Sequence, residues 1–408
     1  MARINPFFIV FMNNSGWAEI AHRFGQYYAN CELWSPPRQR MREWMFIPFK
    51  GIPLRHRSHP NNHSLRQYLV ERPPHSVFYS TAYWEKPHEL KMIDKNWKGA
   101  DLIFDLDGDH LPGVSDTDFP AMIDVIQEQA WSLWNDFLQP EFGFKEEYLH
   151  ITFSGHRGFH LHYRDPSWLH LESGSRRELV SHIRGEGVDV TALLPRYHEP
   201  NATGWARRMR HGVSNMVKKL VSIHNGDETE LKRLLSIISS HQDRSTKRKK
   251  WGKVSIQKLA AMLEHDDRRQ RIANGRIEIL KGSQRELFLA LVKLDSAIVL
   301  DSAGETDEVV TIDTKRQIRF PTSLHGKCGL RVTDIPLDRL EPHRKNSFDP
   351  LTEGIALSRQ KSSRIEIIKD DVVARFDDRI IEGNMGDTID IHEAGAFFLR
   401  LKNWAKKV

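Results

Sequence analysis

The chain has 408 residues, with 60 Lys+Arg against 54 Asp+Glu for a net charge of +6, 39% hydrophobic and 10% aromatic residues. This balance sets the chain apart from disordered or membrane chains, and the length supports a sizeable core in two or three lobes. Only Cys31 and Cys328 occur, so neither a disulfide framework nor a four-cysteine zinc site can be built, and a reducing cytoplasm is the expected compartment.

The apolar run Phe7 to Met12 is too short to span a bilayer and lacks a small-residue cleavage site, so no membrane segment is expected. Residues 1–11 read as an extension ahead of the first element. From Ser15 to Asn30, Trp17, Ile20, Ala21, Phe24 and Tyr28 keep helical spacing, which predicts an amphipathic helix stopped by Pro36 and Pro37. Strands are predicted at Trp44 to Phe49, His75 to Tyr83, Asp101 to Asp107, Tyr148 to Phe153 and Phe159 to Tyr163, with a helix at Ser64 to Val70. No proline lies between Pro200 and Pro321, and sets such as Val213, Met216, Val217 and Leu220 recur at i, i+3, i+4, i+7, so a largely helical insertion is placed at residues 166–299. Short strands return at Val309 to Ile312 and Gln317 to Phe320, and the last helix is placed at Ile391 to Lys407.

Three constellations carry chemistry. The first is Asp105-Leu106-Asp107 at the end of an apolar strand. Period-two alternation puts both carboxylates on one face about 7 Å apart, where a hard divalent cation is the natural counter-charge. The alternative is a strand that merely ends in a solvated acidic turn.

The second is the turn Ser154-Gly155-His156-Arg157-Gly158-Phe159-His160 between two strands. Its glycines let backbone N–H groups approach an anion, and Arg157 with a protonatable His160 adds donors. A plain hairpin is the alternative, as is a transition-metal pair of His160 and His162, although no third ligand stands nearby. The third is the run Lys315 to Lys327, which delivers Arg319 on a strand and then Ser323, His325 and Lys327 on a turn, preceded by Asp307 and Asp313. It either concentrates donors for a triphosphate or forms a solvated basic turn.

In their order these motifs resemble the small, catalytic subunit of archaeo-eukaryotic primases, with its D-x-D strand, S-G-x-R-G-x-H turn, and third acid leading into a basic strand and S-[LV]-H. Phe46-Ile47-Pro48-Phe49, Leu54-Arg55-His56, Tyr79-Ser80-Thr81-Ala82 and Gly99-Ala100-Asp101-Leu102 match the archaeal type. The resemblance implies an α/β (α+β) primase-polymerase core over residues 1–165 and 300–345, with the helical insertion at 166–299 and a C-terminal segment, 346–408, packing on the core. It implies that Asp105, Asp107 and a third acid hold Mg²⁺ or Mn²⁺, while Ser154, Arg157, His160, Arg319 and His325 hold the nucleotide's phosphates.

Asp307, 18 residues before His325, the distance that the resemblance implies, is preferred as the third acid and Asp313 is its rival. Arg55 and Lys315 or Arg316 are candidates to touch template or nucleotide. The implied activity is synthesis of short RNA primers, and also DNA, on single-stranded DNA by two-metal nucleotidyl transfer, with a large iron–sulfur subunit as heterodimer partner. A zinc knuckle carried by many relatives has no counterpart in residues 110–144, so no zinc site is expected. Two rival readings are a repair or end-joining polymerase of the same superfamily and a non-catalytic single-strand-binding subunit using Lys247-Arg248-Lys249-Lys250-Trp251.

Overall fold

The computed structural model describes residues 16–108, 114–193, 201–241, 251–296, 310–342 and 344–408. The chain opens with α1 (Gly16–Asn30), then β1 (Trp44–Ile47), β2 (Leu54–Arg57), α2 (Asn62–Glu71), β3 (Ser76–Ser80) and β4 (Ala82–Trp84). Asn61 caps α2 by accepting the Ser64 N–H, which starts the helix earlier than its apolar spacing indicates. Next come β5 (Trp97–Ala100), β6 (Leu102–Asp107), α3 (Phe119–Ser132), β7 (Leu149–Phe153) and β8 (Gly158–Tyr163). Helices α4 (Ser173–Arg184), α5 (Val190–Leu193), α6 (Gly204–His224), α7 (Glu228–His241), α8 (Lys253–Ala261), α9 (Asp266–Ala273) and α10 (Gly282–Ser296) follow without an intervening strand among the described residues. The chain then forms β9 (Gln317–Arg319), β10 (Thr333–Ile335), α11 (Pro350–Glu353), β11 (Ser362–Ile367), β12 (Val372–Phe376), β13 (Arg379–Gly383), β14 (Thr388–His392), α12 (Glu393–Leu401) and β15 (Ala405–Lys407).

Two four-stranded antiparallel sheets, β2-β1-β3-β9 and β10-β7-β8-β6, frame the core. Alternation along β6 sends Leu102, Phe104 and Leu106 to one face, where they join Phe119, Met122 and Ile126 of α3 in a large cluster that continues into α6, α7, α8 and α10. Ile103, on the opposite face with Asp105, belongs instead to a cluster with Trp44, Tyr79, Ile318 and Phe320. The carboxylate face of β6 therefore looks toward the first sheet.

The joint between the sheets is ionic. Asp101, wholly buried, receives the Arg42 guanidinium through two bonds of 3.0 and 3.2 Å, Arg164 Nε at 3.1 Å and the Tyr83 hydroxyl at 2.6 Å. Arg176 of α4 donates to the Ala100, Asp101 and Thr311 carbonyls. Burial pushes the Asp101 carboxyl up, but Arg42, Arg164 and the Tyr83 hydroxyl outweigh it and hold the group below the usual carboxylate range.

Several elements differ from the sequence expectation. The span His75 to Tyr83 divides at Thr81 into β3 and β4, which lie in different sheets. Thr81 turns the chain by donating its N–H to the Arg316 carbonyl and accepting from the Asp101 N–H. Val310–Ile312 forms a 3₁₀ turn instead of a strand. The expected last helix over Ile391 to Lys407 is β14, α12 and β15, because the His392 ring caps α12 at its start and Asn403, with φ 55°, turns the chain back. α3 and the wide π-turn Leu133–Leu138 that prolongs it were not anticipated, nor were the strands β11 to β13 of the C-terminal segment. Residues 1–11, Asp307 and the run Lys247 to Lys250 lie outside the described residues.

Replacing Asp101 with Ala leaves two or more guanidinium groups buried without their counter-charge. Urea denaturation is expected to show a loss of about 3–5 kcal/mol, and a loss below about 1 kcal/mol would mean that the cluster does not hold the sheets together.

Candidate active site

Strand pairing sets the site. Asp105 faces His160 across β6 and β8, and His160 faces Thr152 across β8 and β7. Asp107 pairs with Gly158, where an added Cβ would sit 2.3 Å from the Leu106 carbonyl, so only glycine admits this approach of turn to strand. Ser154 closes the turn, its Oγ accepting the Gly158 N–H at 3.1 Å and the His156 N–H at 3.4 Å. Its hydroxyl proton is the group it can offer an anion. Gly155 has φ 78°, and a Cβ there would meet His325 and the Leu330 carbonyl at 3.1 Å. The two motif turns are thus packed face to face, and the buried Cys328 thiol donates to the Gly155 carbonyl at 2.8 Å.

Between the two sheets lies a cleft of about 160 Å³. Asp105, Asp107, Ser154 and His160 form one wall, Phe78 and Arg316 to Arg319 the other, and His156, His325 and Lys327 the end. The structure thus brings together Asp105, Asp107, Ser154, His160, Arg319 and His325. Arg157 sits on the same turn but does not line the cleft, and Asp313 is an exposed residue whose carboxylate accepts the Lys315 N–H. Arg55 points elsewhere, 3.4 Å from the buried Glu43, and Lys315 is outside the cleft. Trp251 is half-buried, packs against the helical core and donates its indole N–H to Ser283, which makes it a poor stacking platform.

Arg319 lies 4.8 Å over the Phe78 ring, and burial pulls its guanidinium down to about 10 despite the opposing pull of Cys328, Asp107 and Asp105. Burial raises the Asp105 carboxyl to about 6, with Arg316 and Arg319 working against the shift. His160 was expected to be protonatable; the structure corrects this. Burial, then Arg319 and Arg316, pull it down to about 3, so it is neutral at physiological pH, with Nε2 3.4 Å from Asp105 and Nδ1 3.4 Å from the Thr152 hydroxyl. His325 is likewise held neutral by burial and then by Arg319. Its Nδ1 accepts the Lys327 N–H at 3.1 Å, which puts the proton on Nε2 as a donor.

His156, whose ring stacks on His325 at 4.7 Å, meets Lys402 of the C-terminal segment at 3.1 Å. The contact gave no sequence signal because 246 residues separate the partners. Gln317 and Phe78 were also missed. Alternation from Arg319 along the same strand would have pointed to Gln317.

Asp105 and Asp107 present hard oxygen donors on one strand face, with like charges close together and one carboxyl partly desolvated, a donor set that fits Mg²⁺ or Mn²⁺. Among the described residues no group of three or more His, Cys, Asp or Glu could hold a metal ion, so the pair would need a further ligand. Asp307, the preferred third acid, lies outside the described residues.

The sequence profile of the DNA primase small subunit matches residues 104–336. The chain is 32% identical to the DNA primase small subunit PriS of Methanothrix thermoacetophila over 94% of this chain and 97% of that protein. It is 30% identical to PriS of Methanococcoides burtonii over 85% and 87%, and 32% identical to PriS of Haloarcula marismortui over 83% and 85%. The chain belongs to the DNA primase small subunit family, that of the catalytic subunit and a family of nucleotidyltransferases. Among the described residues no helix is long and apolar enough to cross a membrane.

The raised Asp105 carboxyl has a stability consequence with a definite sign. Its ionised form is disfavoured in the folded protein, so the penalty is complete above about pH 6 and is relieved as pH falls toward the ordinary value of 3.8. Asp105→Asn, in metal-free buffer, is therefore expected to stabilise the protein at pH 8 by up to about 3 kcal/mol, less as residual solvent contact screens it, and hardly at all at pH 4. Equal melting temperatures for variant and parent at pH 8 would contradict the burial penalty.

Proposed function

We propose that the chain assembles short RNA primers on single-stranded DNA, accepting deoxynucleotides as well, and that the cleft between its two sheets is the polymerising site. The observation that carries this reading is the opposition of Asp105 and Asp107 on one wall to Arg316 and Arg319 on the other. Together with Lys327 the lining residues offer three cations to two carboxylates, while the histidines stay neutral. That is a suitable field for a triphosphate entering with cations of its own.

Asp105, Asp107 and a third acid would hold Mg²⁺ or Mn²⁺, which supplies charge compensation on the triphosphate and activation of the attacking 3′-hydroxyl. Arg319 and the Nε2–H of His325 bind phosphate oxygens, and the Ser154 hydroxyl and neutral His160 add directed donors. Arg319, clamped over Phe78, loses little freedom on binding. Arg157, displaced from the lining, serves the outer phosphates or the template. A large iron–sulfur subunit is the proposed partner and the cytoplasm the proposed compartment.

Asp105→Ala and Asp107→Ala are expected to abolish nucleotide addition on a primed template. Asp307→Ala is expected to do the same and Asp313→Ala is not, with the opposite result moving the third ligand. Arg319→Ala and His325→Ala are expected to raise the nucleotide KM or depress kcat by about 30-fold, the equivalent of about 2 kcal/mol. Affinity for single-stranded template, measured by fluorescence anisotropy across a salt series, should stay within about twofold. Weaker template binding with unchanged nucleotide dependence would move this wall of the cleft to the DNA path.

A further inference from the structure

Gln317 lies on β9 between Arg316 and Arg319 and lines the cleft. It shares the face of Arg319 by strand alternation, while Ile318 between them is buried in the core beneath the first sheet. Both Oε1 and Nε2 of its carboxamide are buried, and neither has a hydrogen-bond partner among the described residues. An acceptor and a donor left unmatched together are costly, and the cost is recovered when a bound group matches both. His162 also has two unmatched ring nitrogens, but it is fully enclosed between strands, whereas Gln317 lines the space where a ligand enters.

The chemistry of a nucleotide narrows what that group can be. Phosphate oxygens only accept, so they satisfy the amide nitrogen and leave Oε1 unmatched. Base edges offer donors and acceptors, but their pattern changes from base to base, and a fixed contact to them would favour one template letter. The sugar hydroxyls are both donor and acceptor and are the same in every nucleotide. We propose that Gln317 is a specificity-determining residue that hydrogen-bonds a sugar hydroxyl of the incoming nucleotide, an assignment that rests on the reading of the cleft as the polymerising site.

The test uses Gln317→Met, which keeps length and removes both polar functions, on a primed DNA template. kcat/KM is measured for a ribonucleotide, its 2′-deoxy analogue and its 2′,3′-dideoxy analogue, opposite each of the four template bases. The variant is expected to lose about tenfold, the worth of one hydrogen bond, with every nucleotide that carries the hydroxyl being read, and nothing with the analogue that lacks it. The loss should be the same for all four bases. A collapse of the ribo-to-deoxy ratio assigns the 2′-hydroxyl, and a collapse of the deoxy-to-dideoxy ratio assigns the 3′-hydroxyl.

An equal loss with all three sugars, no loss with any, or a loss that depends on the base would overturn the proposal. Gln317→Asn, with a shorter amide, should restore part of the lost ratio, which a merely structural residue would not do. Asp105→Ala runs alongside as the control on the underlying reading: activity in that variant would remove the cleft as the site, whatever Gln317 does.

Discussion

One buried carboxylate holds the architecture in register. Asp101 immediately precedes β6, the strand that carries Asp105 and Asp107, while Arg42 lies just ahead of β1 and Arg164 immediately follows β8. An ion pair sealed from water is weak evidence for stability by itself, since desolvation cancels most of the attraction. What it supplies is specificity of placement: Arg42 also donates to the Ser80 and Thr81 carbonyls, so a slip of either sheet would strand several charged donors at once. Arg176 extends the same cluster to the start of the helical region by binding the carbonyls of Ala100 and Asp101.

That rigidity matters because the cleft is a thin electrostatic seam with little apolar packing of its own. Its histidines stay neutral, so among the lining residues the charge comes from Asp105, Asp107, Arg316, Arg319 and Lys327. As pH drops below about 6.5 the unfolded chain takes up protons that buried His160 and His325 refuse, so these rings draw stability down, whereas Asp105 works in the opposite sense below about pH 6. Neutral donors suit the proposed role of the cleft in orienting a triphosphate, because a fixed N–H aims at one oxygen without adding charge that would bind any polyanion equally well.

Much of this was legible in the sequence where a local rule suffices. Alternation in Leu102 to Asp107 placed both carboxylates on one face, and the glycines of Ser154 to Gly158 marked a tight turn, as pairing and φ angles bear out. Legibility ended where distant chain segments decide the outcome. The break at Thr81 depends on carbonyls and amides of Arg316 and Asp101, and the state of His160 depends on its burial in the folded core and then on arginines more than 150 residues away. The C-terminal segment did carry a local signal, the alternation of Arg364, Ile365, Glu366 and Ile367 in β11, but the run is short and set among turn formers.

The C-terminal segment illustrates why a motif list understates the site. Lys402 follows α12 and stands over the rings of Phe119 and Trp404 while reaching His156, whose ring stacks on His325. Donation from the ammonium to Nε2 of His156 fixes that imidazole as the Nδ1–H tautomer, and the stack then limits how far His325 can rotate. Segments that meet only through tertiary folding, the turn between β7 and β8, the turn between β9 and β10 and the residue after α12, therefore share control of one donor. In the proposed function that donor meets a phosphate oxygen, a contact that needs placement to within a few tenths of an ångström, and the C-terminal segment is then part of the apparatus that aims it.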